Sequence, residues 1–107
     1  TDPNTICDGL LTSMGSLTWP IIQGHVQRIF TPSDEQVIEA LKLTMSRLKI
    51  MIEPSCATPL AGLINAQIPS SVKTVGVLLS GGNIDLERLA SLCSSPLSTL
   101  HSSKGSF

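Results

Sequence analysis

The residues of this chain best suited to holding a ligand stand together at Leu79-Ser80-Gly81-Gly82-Asn83. Ser80 brings a hydroxyl that both donates and accepts, Asn83 adds an amide, and two glycines let backbone approach an anionic or planar group closely. In front of them Thr74-Val75-Gly76-Val77-Leu78-Leu79 is almost continuously apolar, the pattern of a strand covered on both faces. Ligands of open α/β sheets bind beyond the C-terminal ends of strands, where Ser80 to Asn83 would then lie. A Gly-Gly pair also serves as an ordinary strand-to-helix turn, and that reading stands beside the functional one.

Other reactive side chains are scattered. Cys7, Cys56 and Cys93 form no Cys-x-x-Cys, and no histidine pair stands at ligand spacing, so no metal site is expected. They read as free, mostly buried thiols of a reducing compartment, which points to the cytoplasm. His25 and His101 fall in a weak helix and a tail, away from any nucleophile elbow, and both read as solvated. No catalytic residue emerges from these patterns.

Seven Lys/Arg against eight Asp/Glu give a net charge of −1, which attracts neither nucleic acid nor acidic lipid. No apolar run approaches the roughly 20 residues of a membrane span, and Thr1-Asp2-Pro3-Asn4 lacks a signal pattern. Hydrophobic residues make up 41% of the chain and charged residues only 14%, so much of its outside is expected to face protein rather than water.

The 107 residues allow one small domain at most. Apolar positions 6, 10, 11, 14 and 17 suggest a loop and a short helix, and Thr18-Trp19-Pro20 starts a second helix over 18–26. Residues 26–31 read as a short strand ending at Pro32. Ser33-Asp34-Glu35-Gln36 is a capping box, and Val37, Leu41, Met45, Leu48 and Ile52 trace one face of a helix over 34–52 that Pro54 stops. Thr58-Pro59 then resembles a cap and first turn, giving a helix of about nine residues through Gln67. After the strand at 74–79, a helix over 85–92 follows, and residues 94–107 read as a disordered Ser-rich tail.

Two strands are too few. A strand apolar on both faces needs sheet neighbours on both edges and helices on both sides, which this chain does not hold. The sequence therefore reads as the C-terminal portion of a larger α/β domain, with residues 1–93 as an incomplete sheet flanked by helices. An oligomer that closes the sheet between subunits is the alternative.

Four spaced motifs sharpen this. Thr5-Ile6-x-Asp8-Gly9, Leu17-Thr18-Trp19-Pro20-Ile21-Ile22, Leu48-Lys49-x-x-Ile52-Glu53-Pro54-Ser55 and Val77-Leu78-Leu79-Ser80-Gly81-Gly82-Asn83-Ile84-Asp85-Leu86 occur in this order. Together they resemble the C-terminal third of the serine racemase and serine/threonine dehydratase family of fold-type II pyridoxal 5'-phosphate (PLP) enzymes. The resemblance covers residues 3–92, and it implies a tryptophan synthase beta-like domain with a twisted sheet flanked by helices. It implies that Ser80 hydrogen-bonds the pyridine nitrogen of PLP, with Gly81, Gly82 and Glu53 lining the cofactor pocket. Asp8 matches an Asp-Gly of the family, against a plain turn-forming role. Lys49 and Asn83 match positions that contact an activating ATP at a subunit interface. Set against those roles are a solvated base near a helix C-terminus for Lys49, a helix cap for Asn83 and a carboxylate at a helix start for Glu53. A homodimer, an amino-acid substrate and a divalent metal are implied for the complete enzyme.

The departures are as informative. The family's PLP-bonding lysine sits in a Ser-Phe-Lys-x-Arg-Gly segment, and a glycine-rich cup holds the phosphate; neither is here. Lys42, Lys49, Lys73 and Lys104 lack that context, and Pro59 stands where many members have glycine. The chain alone is thus expected to bind no PLP covalently and to turn over no amino acid. The competing function is a non-catalytic small-molecule-binding or regulatory α/β module that works as an oligomer.

Overall fold

A computed structural model describes residues 2–94. Helix α2, Asp34–Leu48, begins as its capping box requires. The Ser33 hydroxyl accepts from the Gln36 N–H at 3.3 Å, and the Gln36 side chain accepts from the Ser33 N–H at 2.9 Å. Two otherwise orphaned donors are satisfied reciprocally, while Asp34 and Glu35 meet the positive end of the helix dipole.

The helix ends earlier than its apolar periodicity predicts. Lys49 turns left-handed, with φ 58° and ψ 33°, and its N–H bonds the Met45 carbonyl at 3.1 Å. Leu48 is consequently 59% exposed, whereas Ile52 is buried in the core from outside the helix. Leaving the helix at Lys49 frees Ile50 to Glu53 to run across to the next element.

That element starts earlier than expected. Helix α3 spans Pro54–Asn65, with Pro54 in the first turn, where its missing N–H is no loss, and Glu53 as the N-cap residue. Thr58-Pro59 is therefore not a helix start, and Pro59 stands inside α3. A proline there withdraws the N–H that the Ser55 carbonyl would accept. The Thr58 hydroxyl donates to that carbonyl instead, at 2.9 Å.

α2 and α3 pack through small side chains. Ala40 of α2 and Cys56, Ala57 and Ala61 of α3 are fully or almost fully buried, which brings the two backbones close, with Val37 and Leu41 filling the seam. Thr44 is the one buried polar side chain among the described residues, and its hydroxyl is spent on the Ala40 carbonyl at 2.8 Å. The N-terminal segment is laced onto the same unit. Thr5 Oγ1 and the Ile6 N–H donate to the two carboxylate oxygens of Asp34, and Cys7 drops into the core. The Thr58 hydroxyl already donates to a carbonyl, so the Cys7 thiol is the donor in their 3.8 Å contact.

Residues 6–17 hold a single 3-10 turn, Asp8–Leu10, in place of the expected helix. Helix α1, Trp19–His25, starts where the sequence indicates, but the Thr18 side chain caps nothing and the helix buries no residue. Helix α4, Leu86–Cys93, adds Leu89 to the core. Neither 26–31 nor 74–79 forms a strand among the described residues. A strand exists only by pairing, and no second run lies beside either one. Leu78 is 80% exposed and Val75 48% exposed, so the apolar run expected to be covered on both faces stands largely in solvent. Leu17, Ile21, Ile29 and Leu86 are exposed as well, which leaves a large apolar surface beside a small core. All of the predicted tail except Ser94 lies outside the described residues, together with His101 and Lys104.

Replacing Ser33 with Ala should lower stability by about 1 kcal/mol in urea unfolding. The Ser33 side chain holds the Glu35 carboxyl below its ordinary value by hydrogen bonding. A lowered folded-state value stabilises above the ordinary glutamate range and is lost as pH falls through the folded one, so Ser33→Ala should also flatten that acid limb. Lys49→Gly should raise stability by about 1 kcal/mol, because glycine adopts the left-handed turn without a side-chain penalty.

Candidate cofactor site

Three segments meet at the N-terminal ends of α3 and α4. The link from α2 to α3 is the floor on which the glycine loop sits. The Glu53 N–H donates to the Gly81 carbonyl at 3.2 Å, and the Ile84 N–H closes the loop on the Gly82 carbonyl at 3.1 Å. Both glycines are required by proximity, since neither has a positive φ. A Cβ at Gly82 would stand 2.5 Å from the Met51 carbonyl oxygen, and one at Gly81 would stand 2.7 Å from Glu53 Oε1. The Glu53 carboxylate thus lies against the loop that carries Ser80.

From the other side comes the segment Ile6 to Gly9. Its Gly9 N–H donates to Ser55 Oγ at 3.1 Å, tying it to the first turn of α3. Arg88 of α4 grips it with Nη1 on Asp8 Oδ2 at 2.7 Å, Nη2 on Asp8 Oδ1 at 3.2 Å and Nη2 on the Ile6 carbonyl at 2.9 Å. Between the segments lies a cavity of about 170 Å³ lined by Ile6, Asp8, Glu53, Pro54, Asn83, Ile84, Asp85 and Arg88.

Most residues singled out in the sequence therefore converge. Glu53, Gly81, Gly82 and Asn83 share one corner, and Asp8 faces it. Asn83 does not cap α4, whose N-cap residue is Asp85. Ser80 is exposed, and its hydroxyl has no hydrogen-bond partner among the described residues. Lys49, the C-cap of α2, is exposed and lines none of this cavity. Arg88 and Asp85 are not legible in the sequence as site residues, because an arginine one turn into a short helix carries no spacing signal of its own.

The pattern of a pyridoxal-phosphate dependent enzyme matches residues 1–81. The chain belongs to that family. As a member of the PLP-dependent enzymes, it is 42% identical over 87 residues to the beta-hydroxyaspartate dehydratase of Paracoccus denitrificans, covering 81% of this chain and 28% of that protein. To the serine racemase of Dictyostelium discoideum it is 42% identical over 92 residues, or 84% of this chain and 28% of the relative. The crystal structure of that racemase superposes with a TM-score of 0.75 and 43% identity, over 80% of this chain and 29% of the other. A crystal structure of the T.th. threonine deaminase gives a TM-score of 0.71 and 41% identity, over 79% and 31% respectively. The chain spans less than a third of the length of each of these relatives.

PLP is the cofactor of this family, so the donor set can be weighed against it. A hydroxyl, an amide and a close-set glycine pair suit one edge of a planar pyridine ring. Lys42, Lys49 and Lys73 all lie off the cavity, and no glycine-rich phosphate cup occurs in the sequence. Among the described residues no group of three or more His, Cys, Asp or Glu side chains converges on a metal position, and no helix is long and apolar enough to cross a membrane.

The two glycines should respond differently to an added methyl group. Gly82→Ala drives a Cβ into a backbone carbonyl and should unseat the loop, seen as lost exchange protection of the Glu53 and Ile84 amides. Gly81→Ala meets only a side-chain end that can swing aside, so its effect should be smaller and relieved by Glu53→Ala. Gly76→Ala, which meets nothing within 4 Å, is the silent control.

Proposed function

We propose that this chain forms the part of a PLP-dependent serine racemase or hydroxy-amino-acid ammonia-lyase that presents Ser80 to the pyridine nitrogen of the cofactor. The supporting observation is the Ser80 hydroxyl itself, which has no partner among the described residues, on a loop fastened from behind at Gly81 and Gly82. PLP supplies the electron sink on which carbanion chemistry at an amino acid depends. A neutral hydroxyl on the ring nitrogen leaves that nitrogen largely unprotonated and tempers the sink, where a carboxylate would strengthen it. The Glu53 carboxylate lies against Gly81, the residue after Ser80. In the same reading residues 74–79 pair as a strand within the twisted sheet of the whole fold, which accounts for a doubly apolar run left in solvent here. The complete enzyme is a cytoplasmic homodimer acting on a hydroxy amino acid. This chain by itself has no turnover, because no lysine among the described residues lines the site.

The test has two arms. Purified chain is titrated with PLP, reduced with borohydride and mapped by mass spectrometry, with circular dichroism on the same sample. No lysine should carry the cofactor, and a stoichiometric adduct at any one of them overturns the claim of inactivity. In the second arm these residues replace the matching stretch of the Dictyostelium racemase, and racemisation and ammonia release are both assayed. Ser80→Ala in that hybrid should shift the cofactor absorption and cut turnover by up to about tenfold, the scale of one lost hydrogen bond. A chain that folds cooperatively and ignores PLP, with a hybrid indifferent to Ser80→Ala, would return it to a small-molecule-binding module.

A further inference from the structure

An ion pair joins Asp8 to Arg88, positions at opposite ends of the described chain. Both side chains are well exposed, 41% for Arg88 and 64% for Asp8. An isolated exposed pair contributes little to stability. This one differs in kind. The guanidinium meets the carboxylate as a fork and spends another N–H on the Ile6 carbonyl, so it fixes the path of the 6–9 backbone as well as one charge.

Arg88 also sits one turn inside the helix that the glycine loop leads into. Residues 84–88 run directly from the Gly82 carbonyl, through the Asp85 N-cap, to that guanidinium. Besides it, α4 is held by Leu89 in the core and Cys93 packed against it, and the loop by Leu79 and Ile84 at either end and the bond from the Glu53 N–H to the Gly81 carbonyl. On the far side of the cavity, segment 6–9 is anchored independently of α4, through Asp34 on α2 and through Ser55 on α3. We infer that Arg88 is a positioning residue for the Ser80–Asn83 loop, acting through Asp8 by clasping α4 to an N-terminal segment that α2 and α3 hold fixed. The clasp also places a carboxylate and a guanidinium side by side on the cavity wall, so that this wall presents a paired charge in place of a bare anion. Its value to Ser80 rests on the reading of that residue given above. The clasp itself does not.

Amide exchange followed by NMR on the full 107-residue chain tests this without cofactor or turnover, so it succeeds or fails separately from the proposed role of Ser80. Arg88→Met, which keeps length and apolar stem, should speed exchange at Glu53, Gly9 and Ile84 by about two- to fivefold, while Leu41 and Ala61 in the helix seam keep their rates. Arg88→Lys should restore only part of the loss, since a point charge cannot make the fork. The exchanged pair Asp8→Arg with Arg88→Asp should restore more of it than either single change. Added salt should speed the same amides in the native chain and leave them unmoved in Arg88→Met, a dependence that loss of packing alone does not produce. Uniform acceleration across α2 and α3 would reduce Arg88 to a general stabiliser and overturn the inference. Unchanged rates at Glu53 and Ile84, or random-coil exchange there in the native chain, would overturn it as well.

Discussion

The close approach of α2 and α3 is the constraint on which the rest of this structure depends. Ala40, Cys56, Ala57 and Ala61 are buried where the two helices pack, with Val37 and Leu41 filling the rest of the seam, so small side chains set how closely the backbones approach. Cys7, Ile52 and Leu89, which bring the N-terminal segment, the interhelical link and α4 into place, all insert at this seam. Enlarging any of the small residues would push the helices apart and move the floor under the glycine loop. A core built of such small groups removes little apolar area from water, at about 25 cal/mol per Å², so it defines geometry better than it supplies stability.

Local signals in the sequence are legible where they act within one turn. The capping box at Ser33 and Gln36 and the burial of Val37 and Leu41 follow from hydrogen bonding and periodicity that need no other part of the chain. Periodicity misleads beyond Lys49, since Ile52 is buried through a route that leaves the helix and yet lands at a helix-like spacing. Helix α2 ends at Leu48, short of Pro54, and Pro54 has a meaning that the sequence alone hides, a favourable first residue for the helix after it. Thr58 has the chemistry of a cap, as expected, but uses it inside α3 to satisfy the carbonyl that Pro59 abandons.

The two expected strands fail for a different reason. An apolar run states how much cover it requires, and says nothing about where the cover comes from. Val75 and Leu78 stand exposed among the described residues, and the relatives match this chain over less than a third of their own length. Of the candidate site, the sequence singles out Gly81, Gly82 and Asn83 by their place after an apolar run and Glu53 by family resemblance, and the fold brings them together. Its closure by Arg88 is not legible there, because a contact between residues 80 positions apart leaves no local trace.

Leu78 lies two residues before Ser80 on one uninterrupted stretch of backbone, and this joins two events that would otherwise be separate. Any surface that takes Leu78 and Val75 out of water also restricts the backbone from which the Ser80 hydroxyl projects. Anything held by that hydroxyl restricts the same backbone from the other end. By thermodynamic linkage each process then changes the other by the same factor. If Ser80 holds a ligand as proposed, its affinity is then a property of two equilibria, one of ligand and one of cover over Val75 and Leu78.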